Sequence, residues 1–244
     1  MFRPILAATA LAFLVLAGQG RVLATDITQA TLDESSPTSD ISTAEMRRIV
    51  KDGSAIIIDT RTVAEFEAGH LPSARLVERT SKVHVEAVEK ITGGNKTAKL
   101  ALYCNGPFCQ ASRTLADELV KAGYTNVVRY QLGLPVWRAL GGPVVIERNG
   151  VARVVKADQT AILIDTRPAR QFAQGTIGHA VNVRVEDLAS AKLPDDDFNR
   201  RIILFAEDET EARKAADIMG RRPWHNVSYY PNSFESLGLA LTAN

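Results

Sequence analysis

The sequence predicts an α/β protein built from two copies of one domain, each a small parallel sheet flanked by helices. The first indication is an internal repeat, in which residues 55–61 (AIIIDTR) reappear as residues 161–167 (AILIDTR). Further identities follow in the same order, for example residues 126–127 (NV) and 226–227 (NV). The second indication is that short apolar runs alternate with helical stretches, a pattern typical of parallel sheets covered by helices. Together these observations indicate a duplicated domain.

Residues 1–24 have the features of a secretory signal peptide. Arg3 supplies the positive start, residues 4–18 are an uncharged and mostly apolar run, and residues 22–24 (VLA) form a small-residue cleavage site. The alternative is a membrane-anchoring helix, but about 20 apolar residues are needed to cross a bilayer. We therefore expect the mature chain to be soluble and periplasmic or secreted. Residues 25–40 are polar and rich in Ser and Thr, which predicts a flexible lead-in.

The first domain is expected to cover residues 41–150. A capping box at residues 42–45 (STAE) predicts the start of a helix. Apolar runs at residues 56–58 and 100–103 predict two buried strands. Two further helices are predicted, one at about residues 83–91 and one that presents Leu115, Leu119 and Val120 on one face and ends at Gly123.

The second domain is expected to cover residues 151–244. Residues 144–155 have the pattern of a hairpin that turns at Asn149-Gly150, a strong two-residue turn signal. We place the domain boundary at that turn.

The charge balance excludes several classes of partner. The chain has 29 Lys and Arg against 28 Asp and Glu, with no basic run. This gives no electrostatic reason to expect nucleic acid, or a membrane once the signal peptide is removed. Two cysteines form at most one disulfide and are too few for a closed zinc site, which takes four ligands.

The candidate catalytic residue is Cys104. It follows a buried strand and precedes a helix, in residues 104–110 (CNGPFCQ). Backbone N–H groups of the loop and the first helical turn converge at such a position, and the positive end of the helix dipole favours a thiolate. The alternative is a buried, inert cysteine. A thiol between a strand and a Gly-Pro loop is poorly placed to be inert, so we predict a nucleophile.

Several motifs in order make the first copy resemble a rhodanese domain from end to end, and the second copy more weakly. They are Asp59-Thr60-Arg61, Glu65-Phe66, residues 69–74 (GHLPSA), Tyr103-Cys104, residues 133–138 (GLPVWR) and Gly142-Pro143. The resemblance implies that Cys104 accepts a sulfane sulfur from a small anionic donor such as thiosulfate. It also implies transfer to a thiophilic acceptor such as cyanide or a thiol, with no metal or organic cofactor.

The loop after Cys104 departs from the common family pattern. Rhodaneses usually carry an arginine late in this loop, where Cys109 and Gln110 stand here, and Pro107 has no N–H to donate. The related cell-cycle phosphatases need an arginine at position 110, so the chain is not expected to be one of them. We predict that the substrate-binding residues are Gly106, Phe108, Gln110 and Arg113, with Arg113 as the candidate for holding an anion. Cys109 is a candidate redox partner of Cys104, or alternatively a small apolar packing residue.

The second copy is predicted to be inactive. Ala206 replaces the cysteine, and residues 207–211 (EDETE) place four carboxylates beside it, which would repel an anion. We expect this domain to cover and stabilise the first.

Other repeated or isolated residues are expected to be structural. Asp59 and Arg61 recur in the second copy, so they are expected to hold the fold. His70 is interpreted as a turn residue and Trp137 as a core residue near the site, with Arg138 at its rim.

Two alternatives to a sulfurtransferase stay open. One is a non-catalytic rhodanese-like binding module that serves another exported protein. The other is a thiol–disulfide or soft-metal role for the pair Cys104 and Cys109.

Overall fold

The computed structural model describes residues 37–78, 83–194 and 196–241. The predicted signal peptide and most of the predicted lead-in lie outside this range. Within the described residues, no helix is long and apolar enough to cross a membrane.

The first domain is a five-stranded, fully parallel sheet with strand order β1-β5-β4-β2-β3. Its strands are β1 (Ser39–Asp40), β2 (Ile56–Asp59), β3 (Arg75–Leu76), β4 (Leu100–Tyr103) and β5 (Val127–Tyr130). Its helices are α1 (Thr43–Asp52), α2 (Val63–Ala68), α3 (His84–Thr92), α4 (Ala111–Lys121) and α5 (Gly133–Ala139).

The second domain repeats this architecture, with strand order β6-β10-β9-β7-β8 in a second parallel sheet. Its strands are β6 (Val144–Val145), β7 (Ile162–Asp165), β8 (Val181–Asn182), β9 (Ile202–Phe205) and β10 (Val227–Tyr229). Its helices are α6 (Arg148–Ala157), α7 (Ala169–Phe172) and α8 (Glu209–Met219), with 3₁₀ turns at Val185–Asp187 and Phe234–Leu237. The predicted fold class, two α/β domains with parallel sheets, is confirmed.

Both faces of the first sheet are buried, which explains the unbroken apolar strands. Leu100 and Leu102 of β4 pack into the cluster that contains residues of α3 and α4, whereas Ala101 and Tyr103 pack into the cluster of α1 and α5. The helix start predicted from residues 42–45 is confirmed, because the Ser42 side chain accepts a hydrogen bond from the Glu45 N–H. Short sequence patterns, the apolar strand and the helix cap, therefore predict these elements correctly.

The predicted hairpin at residues 144–155 is wrong. Val144–Val145 is the parallel strand β6, and Asn149 and Gly150 lie inside helix α6. Gly150 serves close packing: a Cβ atom there would lie 2.1 Å from the Glu67 carbonyl oxygen of the first domain. The second sheet therefore begins before residue 150, and a boundary at that position would cut a helix.

The predicted flexible lead-in, residues 25–40, includes two residues that form a strand. Ser39 and Asp40 form β1, in parallel register with Val128 and Arg129 of β5. Asp40 lies 3.0 Å from the buried Arg129 guanidinium, an ion pair that fixes this edge strand. The ordered first domain thus includes residues that composition alone assigned to a flexible segment.

The two domains contact each other through α2 and α6. Glu67 accepts hydrogen bonds from Asn149 (2.7 Å) and Arg153 (2.8 Å), and the backbone N–H and C=O of His70 both bond to Val145 at 2.9 Å. The two domains are therefore joined by main-chain as well as side-chain bonds.

Candidate active site

Cys104 is positioned by the central strand of the first sheet. β4 lies between β2 and β5, with Tyr103 opposite both Asp59 and Tyr130, so the chain leaves the sheet at its middle. The Cys104 carbonyl accepts a hydrogen bond from the Leu134 N–H at 3.1 Å. Gly133 makes this approach possible: it has φ +66°, and a Cβ atom there would lie 2.4 Å from both the Cys104 oxygen and the Gly106 nitrogen. Cys104 itself is 2% exposed.

The loop that follows is held by Gln131 from the neighbouring strand. Gln131 follows β5, and its Nε2 donates to the carbonyl oxygens of Pro107 (2.7 Å) and Cys109 (3.2 Å). Within the loop, the Cys109 N–H donates to Gly106 O at 3.0 Å, and Gly106 adopts φ +117°. The fold-back of the loop toward Cys104 thus rests on hydrogen bonds as well as on the cysteines.

The sulfur of Cys104 lies beside the start of α4. It is bonded to the sulfur of Cys109, with the two Cα atoms 6.3 Å apart. The hydroxyl oxygen of the fully buried Ser112, on the first turn of α4, lies 3.5 Å from the Cys104 sulfur. Among the described residues, Gln110 at the helix N-cap makes no side-chain capping bond, so α4 begins without a side-chain acceptor at its positive end.

A pocket of about 450 Å³ opens beside this loop. It lies at the carboxyl ends of β2 and β4, where the chain order of the sheet reverses and α/β proteins commonly bind ligands. The pocket is lined by residues that directly follow β2 and β3 and by residues of α3, the cysteine loop and α4. They are Thr60, Val77, His84, Phe108, Cys109, Gln110, Ala111, Thr114 and Leu115.

Five of the six predicted site residues lie in the cysteine loop or at the N-cap of α4, and they form two groups. Phe108, Cys109 and Gln110 line the pocket, and Phe108 is 78% exposed at its edge. Cys104 is buried behind Cys109. Gly106 is also buried, and a Cβ atom there would lie 3.5 Å from the Leu132 carbonyl oxygen. The structure therefore brings the cysteine pair and two of the predicted binding residues together.

Arg113 lies elsewhere. It is 8% exposed, outside the residues that line the pocket, and its charge acts on Asp40 and Arg129 at the β1–β5 edge. Burial raises the pKa of Asp40, and the charges of Arg129 and Arg113 oppose that rise. Helical geometry explains the placement, since Ala111, Thr114 and Leu115 face the pocket and Arg113 lies on another side of α4. Its position does not support the predicted anion-holding role.

The sequence did not predict several residues of the site, and three of them bear on its chemistry. Ser112 contacts the Cys104 sulfur, Gln131 holds the loop, and His84 lines the pocket with its Nδ1 3.5 Å from Glu118. Ser112 could have been found from its place in the first turn after the loop. Gln131 and His84 come from other elements, and no local signal marks them.

A carboxylate also borders the loop. Glu65 accepts hydrogen bonds from Asn105 at 2.5 Å and from the Thr62 hydroxyl at 2.7 Å. Burial would raise the pKa of Glu65, but the bonds from Thr62 and Asn105 outweigh it and lower that pKa to about 2. Glu65 is therefore ionised at neutral pH and fixes the first residue of the loop through Asn105.

The residues expected to hold the fold do so. Arg61 bonds to both oxygens of Asp59, at 2.6 to 3.2 Å, and to Gly69 O at 2.7 Å, and both side chains are buried. Arg167 and Asp165 repeat the arrangement in the second domain. Trp137 is buried as predicted, but Arg138 does not border the pocket; it bonds to Asn226 of the second domain at 2.6 Å.

His70 is more than a turn residue. It is 4% exposed, stacks on Phe66 and bridges to Val145 of the second domain. Burial lowers the pKa of His70 to about 4. The ring is therefore neutral at pH 7, although the Glu147 carboxylate lies 3.7 Å away.

The equivalent position of the second domain has no nucleophile. Ala206 follows β9, and its carbonyl accepts the Phe234 N–H just as that of Cys104 accepts the Leu134 N–H. The Asp208 side chain caps α8 by accepting the Glu211 N–H at 2.9 Å. A carboxylate thus occupies the helix start that is uncapped by a side chain in the first domain.

Comparison with known proteins identifies one family. The profile described as Rhodanese-like domain matches residues 42–140 and again residues 151–239. A search of curated proteins found no match.

Solved structures that match this chain include a thiosulfate sulfurtransferase from Pseudomonas aeruginosa, with 16% identity and a TM-score of 0.38. The alignment covers 84% of this chain but only 43% of that protein. A 3-mercaptopyruvate sulfotransferase from Escherichia coli has 20% identity and a TM-score of 0.33, over 80% of this chain and 98% of its own. A protein from Bacillus halodurans has 22% identity and a TM-score of 0.40, over 45% of this chain and 77% of its own.

Proposed function

The chain belongs to the family of rhodanese-like domain proteins and carries that domain twice, and on this premise we propose that it is a sulfurtransferase that carries sulfur on Cys104. The Cys104 thiolate attacks the sulfane sulfur of a donor such as thiosulfate. A persulfide forms on Cys104, and sulfite leaves with the electron pair of the broken S–S bond. A thiophilic acceptor, cyanide or a thiol, then removes the outer sulfur and restores the thiolate.

The observation that carries this proposal is the placement of the Cys104 sulfur. It lies at the start of the eleven-residue helix α4, 3.5 Å from the Ser112 hydroxyl and behind the 450 Å³ pocket. The helix dipole and the hydroxyl both favour a negatively charged sulfur, as the thiolate and the persulfide require. The second domain has Ala206 and a carboxylate-capped helix at the same place, so we assign it a supporting role.

The disulfide sets a condition on the reaction. While Cys104 is bonded to Cys109 it has no thiolate to offer, so turnover begins only after reduction. Together with the signal-like residues 1–24, this fits our proposal of a periplasmic or secreted enzyme, since disulfides persist in oxidising compartments.

The test compares wild type with Cys104→Ser after reduction by a dithiol and removal of that reductant. Thiosulfate and cyanide are added, and sulfite and thiocyanate are measured. Wild type and Cys109→Ala are both expected to release sulfite, Cys109→Ala is expected to form thiocyanate as well, and Cys104→Ser is expected to form neither product. Cys109→Ala is the matched control, because it removes the other thiol of the same loop and keeps the proposed nucleophile. Sulfite release by Cys104→Ser at the wild-type rate would refute the proposal.

The disulfide itself favours a second candidate, a thiol–disulfide exchange protein that uses the same two cysteines. With a small-molecule disulfide supplied as the terminal oxidant, such a protein would oxidise a dithiol repeatedly in the absence of any sulfur donor, and it would release no sulfite from thiosulfate. A non-catalytic binding module would do neither. Sulfite release and dithiol oxidation, measured together, therefore separate the three functions.

A further inference from the structure

Cys109 lies where it can react with the sulfur carried by Cys104. Its sulfur is bonded to the Cys104 sulfur in the structure, and the Cα separation of 6.3 Å is within the usual disulfide range. Cys109 is also the member of the pair that lines the pocket, whereas Cys104 is 2% exposed.

The approach of the two cysteines does not depend on the bond between them. The Cys109 N–H bonds to Gly106 O, and Gln131 holds the carbonyl oxygens of Pro107 and Cys109. Gly106 supplies the backbone angle, φ +117°, that lets the loop turn back. Because these contacts involve main-chain atoms and a glutamine, we expect them to persist when both cysteines are reduced.

We propose that Cys109 resolves the Cys104 persulfide and releases its outer sulfur as sulfide, so that the first domain is a dithiol-dependent, sulfide-forming sulfurtransferase. This inference rests on the proposed function, because it starts from the Cys104 persulfide. It assigns Cys109 as a second catalytic residue and a dithiol as the reductant that completes the cycle.

The step balances without an external oxidant. The Cys109 thiolate attacks the inner sulfur, Sγ of Cys104, and the bond between Sγ and the outer sulfur breaks. The outer sulfur leaves as hydrosulfide, with the electron pair of that bond and one proton. The two cysteines lose two electrons and become the Sγ–Sγ bond seen in the structure, while the sulfane sulfur gains those electrons.

A dithiol then restores the enzyme. One of its thiols attacks the disulfide, and we assign Cys109 as the sulfur attacked because it lies at the pocket. The second thiol of the reductant resolves the mixed disulfide, which returns two electrons to the cysteine pair. Over a full cycle, thiosulfate and a dithiol become sulfite, sulfide and the oxidised dithiol.

The geometry also favours attack on the persulfide by Cys109 over attack by an external acceptor. An acceptor entering the pocket meets Cys109 before it meets the buried Cys104. The internal thiol is therefore present at an effective concentration that a diffusing acceptor does not reach.

The experiment is a single turnover without oxygen. Wild type, Cys109→Ala and Cys104→Ser are reduced, freed of reductant and mixed with one equivalent of thiosulfate. Sulfite, sulfide and free thiols are measured, and the mass of the peptide that contains both cysteines is determined. Excluding oxygen and residual dithiol leaves persulfide resolution as the route to both sulfide and disulfide.

We expect wild type to release sulfite and sulfide in equal amounts and to lose two thiols per chain. Cys109→Ala is expected to release sulfite alone and to keep one additional sulfur on the Cys104 peptide. Cys104→Ser is expected to release neither product.

Failure of this inference is distinct from failure of the proposed function. If wild type releases sulfite but keeps the added sulfur for as long as Cys109→Ala does, Cys109 is a packing residue and the inference is overturned. If wild type and Cys109→Ala release no sulfite, the proposed function fails and the inference falls with it. Should Cys109→Ala fail to fold, equal sulfite and sulfide from wild type, with loss of two thiols, still supports the inference, and sulfite without sulfide overturns it.

Discussion

Removing the Arg61 side chain is expected to destabilise the first domain strongly and to leave the chemistry of Cys104 in place. Arg61 is 4% exposed, and its guanidinium makes three bonds to Asp59 and one to Gly69 O. Burial would lower the pKa of Arg61, but its bonds to Asp59 and the charge of that carboxylate outweigh it and raise the pKa. The pair is therefore charged and fully removed from water.

The expected cost follows from the group that is left behind. In Arg61→Ala, Asp59 keeps the bond from the Tyr103 hydroxyl and the bond from the backbone N–H of residue 61 (2.9 Å), but it loses its counter-ion. Leaving a buried charge without its partner costs about 3–5 kcal/mol. The remaining two bonds favour the lower part of that range, so we expect a loss of about 3 kcal/mol.

The assay uses the two tryptophans, one in each domain. Trp137 is buried in the first domain and Trp224 in the second. In a Trp224→Phe background, urea unfolding followed by fluorescence reports on the first domain alone. Lys96→Ala is the control for a partly exposed cation, since Lys96 and its partner Glu89 are 34% and 50% exposed and the Lys96 ammonium lies 4.4 Å from the centre of the Tyr124 ring. Exposed ion pairs and exposed cation–π contacts each contribute about 1 kcal/mol or less.

Two results would contradict this reasoning. An Arg61→Ala loss no larger than that of Lys96→Ala would show that the buried pair does not stabilise the fold. Abolished sulfite release with an unchanged free energy of unfolding would show that Arg61 belongs to the site instead.

Two further predictions concern the second copy and the domain contact. The double variant Cys104→Ser, Ala206→Cys is expected to release no sulfite, because the Asp208 carboxylate caps the start of α8 beside the new cysteine. Appreciable sulfite release would show that this cap does not prevent the reaction. Burial lowers the pKa of His70 to about 4 in the folded chain, against about 6.5 in the unfolded chain. Between these two pH values the unfolded chain binds more protons, so the free energy of unfolding falls as the pH falls from 6.5 to 4. The loss of unfolding free energy attributable to His70 is up to about 3 kcal/mol. In His70→Gln, the free energy of unfolding is expected to depend less steeply on pH. An unchanged slope would mean that His70 is not buried in the neutral form.

The sequence by itself determined the duplication, the parallel sheets and the place of Cys104. Each of these depends on short-range patterns: repeated residues, apolar runs that are buried on both faces, and a cysteine at the step from strand to helix. The structural role of Asp59 and Arg61 was also predictable, because both residues recur in the copy that lacks the cysteine.

Only the tertiary structure decided which residues surround the sulfur and how the domains join. His84 and Gln131 reach the site from elements that are distant along the chain. Arg113 lies outside the site because the side of α4 that carries it packs toward the β1–β5 edge of the sheet. Gly150 is a second example. Asn149-Gly150 has the local pattern of a turn, but the glycine lies inside α6, where the Glu67 carbonyl of the other domain leaves no room for a side chain. Local patterns fix the conformation of a segment, whereas contacts between segments depend on how the helices pack against the sheets, which no short stretch of sequence encodes.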